Sequence, residues 1–444
     1  MRWFATLPVL CLLTLLFGLP SWAASAEQPA QHVALGTSAV PLTGPWRFHI
    51  GDDQRWAAPA FDDASWESVD LTAAPDAHDG DVGLPGYVVG WGQRGHRDYT
   101  GFAWYRLSVT VDGGQPVALA APTLVDSTYE LYVDGVRLGT SGDFSGPIPK
   151  VYGVRPTVFM LPAGAPGEPR MYHLAFRVWM DPLDAGPENG GIHVAPTLGT
   201  VDAIAQLHQV QWLKTFVGYV ADAVEPLAFT ILAIMVMALR VPGGGERGRW
   251  LAVALLLLAA LRINQVLFYW TPWLSLHAYD FLVTVLLRPL VLAAWVLAWR
   301  DWFDVARQRW VLPAVVACTV AYVILAWLGR PWASVAPGVA SVADSAITVI
   351  RLAFALFYIW VVALGVGRTR TWVGYVAALA AVLIGVGIFA TEVNALGIPG
   401  IWFPFGVGVA RGQYAYAGAI VVIFGLLMVR SQQSSIKGPS LQVR

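Results

Sequence analysis

Seven stretches in the C-terminal half constrain this chain more than any other feature. Residues 216–239, 249–270, 279–299, 310–328, 345–366, 372–392 and 412–429 are long and almost wholly apolar. A bilayer core about 30 Å thick asks for about 20 apolar residues in a helix, and each stretch comes close to that length. The expectation is an α-helical seven-transmembrane bundle over 216–430. Arginines orient it. Arg240, Arg247 and Arg249 follow the first stretch, Arg300, Arg307 and Arg309 the third, Arg368 and Arg370 the fifth, and Arg430 and Lys437 the seventh. Basic residues stay on the cytoplasmic side, so the chain before residue 216 is expected outside and the C-terminus in the cytoplasm.

Composition agrees with a chain of two characters. Of 444 residues, 56% are hydrophobic and 13% charged, where a soluble protein carries about a quarter charged. Residues 27–212 hold 21 acidic and 10 basic side chains, whereas 213–444 hold 8 acidic and 17 basic. The net charge of −1 thus hides an acidic part joined to a basic, apolar one. An acidic exported part repels phosphates, which argues against a nucleic-acid partner. Cys11 and Cys318 both lie in apolar runs, leaving the region between them without thiols for disulfides or metal.

Residues 1–26 read as a signal peptide. Arg2 is the positive end, Leu7 to Leu16 the apolar stretch, and Ser21-Trp22-Ala23 or Ala24-Ser25-Ala26 a small-residue cleavage site. Residues 27–199 are rich in Gly, Pro and Asp and carry short β-like runs: 44–50, 102–111, 117–124, 129–133, 157–161 and 171–180. Apolar side chains largely alternate along 104–111, as a half-buried strand requires. Asp134-Gly135 tolerates the positive φ of a two-residue hairpin. The region is therefore expected to be an all-β sandwich.

Three segments, Gly44-Pro45-Trp46-Arg47-Phe48, Phe61-Asp62-Asp63-Ala64-Ser65-Trp66 and Gly101-Phe102-Ala103-Trp104-Tyr105-Arg106, are followed by a fourth, Tyr129-Glu130-Leu131-Tyr132-Val133-Asp134-Gly135. Their order and spacing resemble the sugar-binding jelly roll of family 2 glycoside hydrolases, and the resemblance implies a galactose-binding-like jelly-roll fold. It does not imply hydrolysis, because in those enzymes the paired carboxylates lie on a separate barrel domain. Trp91, Arg94, Arg97 and Asp98, on a glycine-spaced polar loop, and Trp179 and Asp181, at the end of a strong strand, are candidate ligand-binding residues. Sugar sites combine an aromatic platform with a few fixed polar groups. Solvated loop charges and core aromatics are the alternative reading of the same residues.

Thr200 is placed to cap a juxtamembrane helix over 200–215 that has no Pro or Gly before Phe216, so it is expected to run on into the bilayer. Charges inside the apolar stretches define a second candidate. Glu225, Arg262, Asp280, Arg288 and Arg351, with Asp222 and Glu392 nearby, form an expected intramembrane polar cluster opening outward. A charge at the bilayer centre costs about 2.5–3.5 kcal/mol on insertion scales, which disfavours unpaired placement in lipid. Pro226 and Pro289 are potential kinks beside two of these charges. Phosphate-loop, zinc-protease and nucleophile-elbow motifs are absent and the eight histidines are scattered. No enzyme, metal or cofactor is therefore expected.

An exported jelly roll, then Pro196-Thr197-Leu198-Gly199, then seven helices is a layout similar to the bacterial seven-transmembrane receptors with diverse intracellular signalling modules. That resemblance implies a multi-pass protein of the bacterial inner (cell) membrane whose N-terminal domain is periplasmic or extracellular. It also implies sensing of a small-molecule ligand, a carbohydrate or a relative of one. Residues 431–444 are expected to be a short cytoplasmic tail, so either the output comes from a cytoplasmic signalling protein in trans or the gene has been shortened. The competing reading is a transporter or channel component whose outer domain captures substrate.

Overall fold

The computed structural model describes residues 30–437 apart from 80–82, 113–114, 166, 240–247, 306–308, 399 and 403–408. The expected signal peptide lies outside the described residues. A β-rich N-terminal region is followed by a helical one.

In the β region, alternating sequences form a seven-stranded sheet. Its order is Glu67–Val69, Trp46–Ile50, Gly101–Val111, Arg170–Met180, Thr128–Val133 and Val136–Thr140, with Gln31–Val33 pairing parallel to Gly101–Val111. A four-stranded sheet runs Val158–Met160, Val117–Ala120, Thr197–Thr200, Val40–Pro41. Trp46, Phe48, Leu107, Val109, Leu131 and Phe176 of the first sheet share one buried cluster with Leu119 and Leu198 of the second. The intervening Arg47, His49 and Arg106 fall on the other face, as a period of two dictates. The hairpin at 133–136 has positive φ at both Asp134 (50°) and Gly135 (81°), the conformation Asp-Gly favours.

The helical region contains α1 (Val201–Ala238), α2 (Arg249–Trp270), α3 (Leu276–Trp302), α4 (Val311–Leu328), α5 (Pro337–Thr369), α6 (Trp372–Ile388) and α7 (Arg411–Lys437). Six of these are long and apolar enough to cross a membrane. The exception is α6, an apolar helix of 17 residues, about 26 Å long at 1.5 Å per residue. A short turn of helix, Ala390–Asn394, follows it. The expected stretch 372–392 is thus split at its end. In α3 a π-helical segment, Phe281–Leu287, immediately precedes Arg288 and Pro289, where the sequence suggests only a proline kink.

The two regions meet without a linker. Thr200 ends a strand of the four-stranded sheet and also caps α1, its hydroxyl accepting from the Ala203 amide. Ile204, wholly buried, packs with Val201 and Leu207 against Ala118 and Ala120 of that sheet. The 38 residues of α1 extend about 57 Å, so one continuous helix starts at a β-sheet and ends among the membrane-length helices.

Removing buried methylene groups costs about 2–5 kcal/mol for an aliphatic residue cut to Ala. Ile204→Ala should therefore lower the unfolding stability of the full-length protein by about 2–4 kcal/mol. Val210→Ala, at a half-exposed position of the same helix, should leave it nearly unchanged. Denaturant titration of tryptophan fluorescence reads both.

Candidate functional site

Three places collect polar groups that the fold does not need for its core. The first is the junction between the β region and the helices. Asp181 ends strand Arg170–Met180, is almost wholly buried, and accepts from the Leu183 amide. Its other oxygen meets His277 Nε2 at 2.9 Å, at the start of α3. Beside it, the Leu276 amide donates to the Val151 carbonyl at 2.8 Å. A Cβ on Gly153 would stand 2.7 Å from the Phe268 carbonyl, so the loop around 153 lies directly on the end of α2.

Behind this contact lie Ser127, Asp184, Asp126 and His193. The Ser127 hydroxyl donates to Asp184 and accepts the Asp181 amide. His193 places both ring nitrogens against acceptors, Nδ1 at 2.8 Å from the Val88 carbonyl and Nε2 at 2.8 Å from Asp126. Two acceptors require two N–H groups, so the geometry suits the imidazolium. His193 titrates above its ordinary range: desolvation opposes the charge, but Asp126 and the Val88 carbonyl outweigh it. Asp184 keeps some exposed surface, yet burial lifts its carboxyl to about 7, with Asp126, Asp181 and Asp280 adding repulsion. None of these residues forms a recognisable sequence motif, because they come from four separate segments.

The second place is a groove of about 780 Å³ on the outer face of the seven-stranded sheet. Arg47, Phe61, Asp62, Asp63, Arg106 and His173 line it. Strand register puts Arg47 opposite Arg106 and Ser108 opposite His173. Arg106 is neutralised by Asp63 at 2.8 Å, while the Nε of Arg47 is buried without a hydrogen bond. An aromatic ring, two carboxylates and a half-committed guanidinium thus face one concave surface, the ingredients of polar-ligand recognition.

The six candidate residues of the β region are not gathered there. Trp91 is buried and opens a short 3₁₀ turn, Trp91–Arg94; it packs on Phe48 and donates to the Tyr99 carbonyl. Arg94 is held by the carbonyls of Val89 and Asp70. Arg97 and Asp98 are exposed and 3.9 Å apart. Trp179 leans on Phe102, with ring centroids 4.7 Å apart. Asp181 is engaged at the junction. Trp91 and Asp181 therefore serve packing and docking, where the sequence suggests a ligand platform.

The third place lies among the helices. A cavity of about 310 Å³ is lined by Arg262, Arg288, Arg351, Arg411, Gln265 and Tyr416, together with Asp222 and other residues of α2, α3, α6 and α7. Arg262 Nε donates to Glu225 at 2.8 Å, and its Nη2 meets Asp222. Gln413 also donates to Asp222, at 2.9 Å. Arg351 forms a two-point pair with Glu392, at 2.6 and 2.7 Å. Four of the five residues expected to cluster do so. Asp280 is the exception: it accepts from Thr284 at 2.9 Å and pairs with Arg330 at 3.1 Å, away from the cavity lining. Among the described residues, no group of three or more His, Cys, Asp or Glu is placed to hold a metal.

No family model matches the chain, and no curated protein matches it. Solved structures of glycoside hydrolase family 2 enzymes do show a likeness. A β-glucuronidase of that family shares 18% identity over 36% of this chain and 17% of its own, with a TM-score of 0.24. The β-glucuronidase of Bacteroides uniformis shares 20% over 36% and 17%, at 0.26. One from Ruminococcus gnavus shares 11% over 36% and 29%, at 0.25. The chain spans about a sixth of the length of the first two enzymes. At these TM-scores the likeness decides neither fold nor activity.

Two outcomes are expected. Asp184 and His193 both bind protons more tightly folded than unfolded, so both stabilise the fold at low pH. The Asp184 contribution is complete below about pH 4 and lost as pH rises through about 7. That of His193 is complete below about 6.5 and lost through its raised value. Thermal unfolding of the full-length protein should begin at a higher temperature at pH 6 than at pH 8. Asp184→Asn should shrink that difference by half or more. Separately, Arg262→Met leaves Asp222 and Glu225 without their cation. Stranding a buried charge costs about 3–5 kcal/mol, and folded yield in detergent should drop accordingly.

Proposed function

We propose that this protein is a multi-pass membrane receptor with an extracytoplasmic jelly-roll domain. The domain senses a carbohydrate-type small molecule, and a seven-helix bundle carries the signal to a separate cytoplasmic partner. The observation that carries this reading is the double attachment of the β region. It is continuous with α1 through Thr200, and it is docked on α3 through Asp181–His277 and Leu276–Val151. A ligand that alters the β region can then bias the helices, by as much as its affinity differs between the two arrangements. The arginines after the first, third, fifth and seventh apolar stretches support an outside β domain. The groove around Arg47 and Phe61 is the place in the β domain best furnished for a polar ring.

Binding of a carbohydrate panel to the full-length protein in nanodiscs tests the reading. The expected result is saturable binding of at least one sugar or sugar acid, weakened tenfold or more in Phe61→Ala and Arg47→Gln, about the loss of one good contact. His277→Ala should leave that affinity largely intact while weakening any ligand-induced change at the far end of α3. Uptake of the bound sugar into proteoliposomes would instead make the protein a transporter.

A further inference from the structure

One arginine of the cavity among the helices, Arg288, has no hydrogen bond or ion pair among the described residues. Arg262 is shared by Asp222 and Glu225, and Arg351 is matched by Glu392. Arg411 is held by the carbonyls of Ile398 and Ala390 and by the Asn394 side chain. Glu392 lies within the field of Arg288 but is already engaged on two points by Arg351.

We propose that this cavity is a binding site for a small anion bearing carboxylate or phosphate oxygens, with Arg288 as its anchor. Arg288 stands 12 residues into α3 from Leu276, about 18 Å along the helix. An uncompensated charge at such depth in a membrane-length helix is costly, and the usual reason for its presence is function. The backbone is adapted to present it. The π-helical segment Phe281–Leu287 ends directly before Arg288, and π-helical widening inside α-helices accompanies functional sites. Val283 of that segment and Val291 and Leu292 beyond it share the cavity wall.

The chemistry suits an oxyanion. A guanidinium offers a planar fork of donors that matches carboxylate or phosphate on two points. Gln265 spends its carbonyl on Arg262 at 2.6 Å, which leaves its amide N–H groups as donors. Tyr416 also lines the wall, its ring beneath the Arg262 guanidinium. The volume, about 310 Å³, is at the small end of ligand pockets, which run from about 300 to 1,000 Å³. Tyr279, two residues from the His277 contact with the β region, also lines the cavity, so it lies toward the β-domain end of the helices. The site is separate from the sheet groove, and either can fail without the other.

The test uses full-length protein in phosphatidylcholine nanodiscs, with inorganic phosphate and succinate each titrated against chloride at constant ionic strength. Wild type should show a saturable rise in unfolding temperature of a few degrees with at least one of them. Arg288→Lys should weaken the response about tenfold, and Arg288→Met should abolish it. Without added anion, Arg288→Met should be at least as heat-resistant as wild type, because it removes a charge that has no partner among the described residues. An Arg288-dependent rise in nanodiscs containing phosphatidylglycerol, without added anion, would identify the oxyanion as a lipid headgroup. The proposal is overturned if wild type and Arg288→Met respond alike to all three probes. It is equally overturned if Arg288→Met unfolds several degrees below wild type with no anion present.

Discussion

Thr200 belongs to two elements at once, closing the last strand of the four-stranded sheet and capping a 38-residue helix. That junction sets the terms for the rest of the molecule. A flexible linker would let the β region and the helices move independently; here the first turns of α1 are part of the β region's own packing, with Ile204 buried on Ala118 and Ala120. The helix cannot tilt or rotate without disturbing the sheet. The second attachment, Asp181 on His277, fixes α3 to the end of the long strand Arg170–Met180. Two helices of the bundle are thereby referred to two different sheets, and a change in how those sheets face one another would be felt as a change between α1 and α3.

Among the helices, charge neutralisation organises the polar interior. Arg262 draws together Asp222 and Glu225 of α1, and Arg351 of α5 draws in Glu392 from the short helical turn after α6. Low polarity makes each pairing strong and each unpaired group expensive. These pairs add to other polar ties between the helices, such as the Tyr358 hydroxyl of α5 donating to the Ala381 carbonyl of α6. Arg288 departs from this pattern, and the departure coincides with the one π-helical segment among the described residues.

Much of the architecture is legible in the sequence because its signals are local. Apolar runs mark helices, Asp134-Gly135 marks a hairpin, and Thr200 before an unbroken helical pattern marks a cap. The clustering of Glu225, Arg262, Arg288 and Arg351 is also legible, since lipid leaves few places for charge. What escapes is pairing at a distance. Asp181 and His277 are 96 positions apart, and Gln413 and Asp222 are 191 apart. Nothing local in either sequence neighbourhood names the partner. Asp280 shows the same limit: its position suits the cluster, but Arg330 captures it from a loop. Trp91 misleads for another reason. A tryptophan among glycines and charges reads as a surface platform, whereas its 3₁₀ turn folds the ring inward onto Phe48. The groove on the sheet is invisible in sequence, because Arg47, Arg106 and His173 are neighbours only through strand register.

Coupling between the two regions depends on α1 being one unbroken helix from the β region to its end among the membrane-length helices. Hydrogen exchange along residues 201–238 of the full-length protein in nanodiscs measures this directly. Continuous protection from Ala203 through the level of Pro226, interrupted only where the proline removes a donor, is the predicted result. Rapid exchange of the amides between His208 and Tyr219, with protection on both sides, would reveal a hinge and contradict the account.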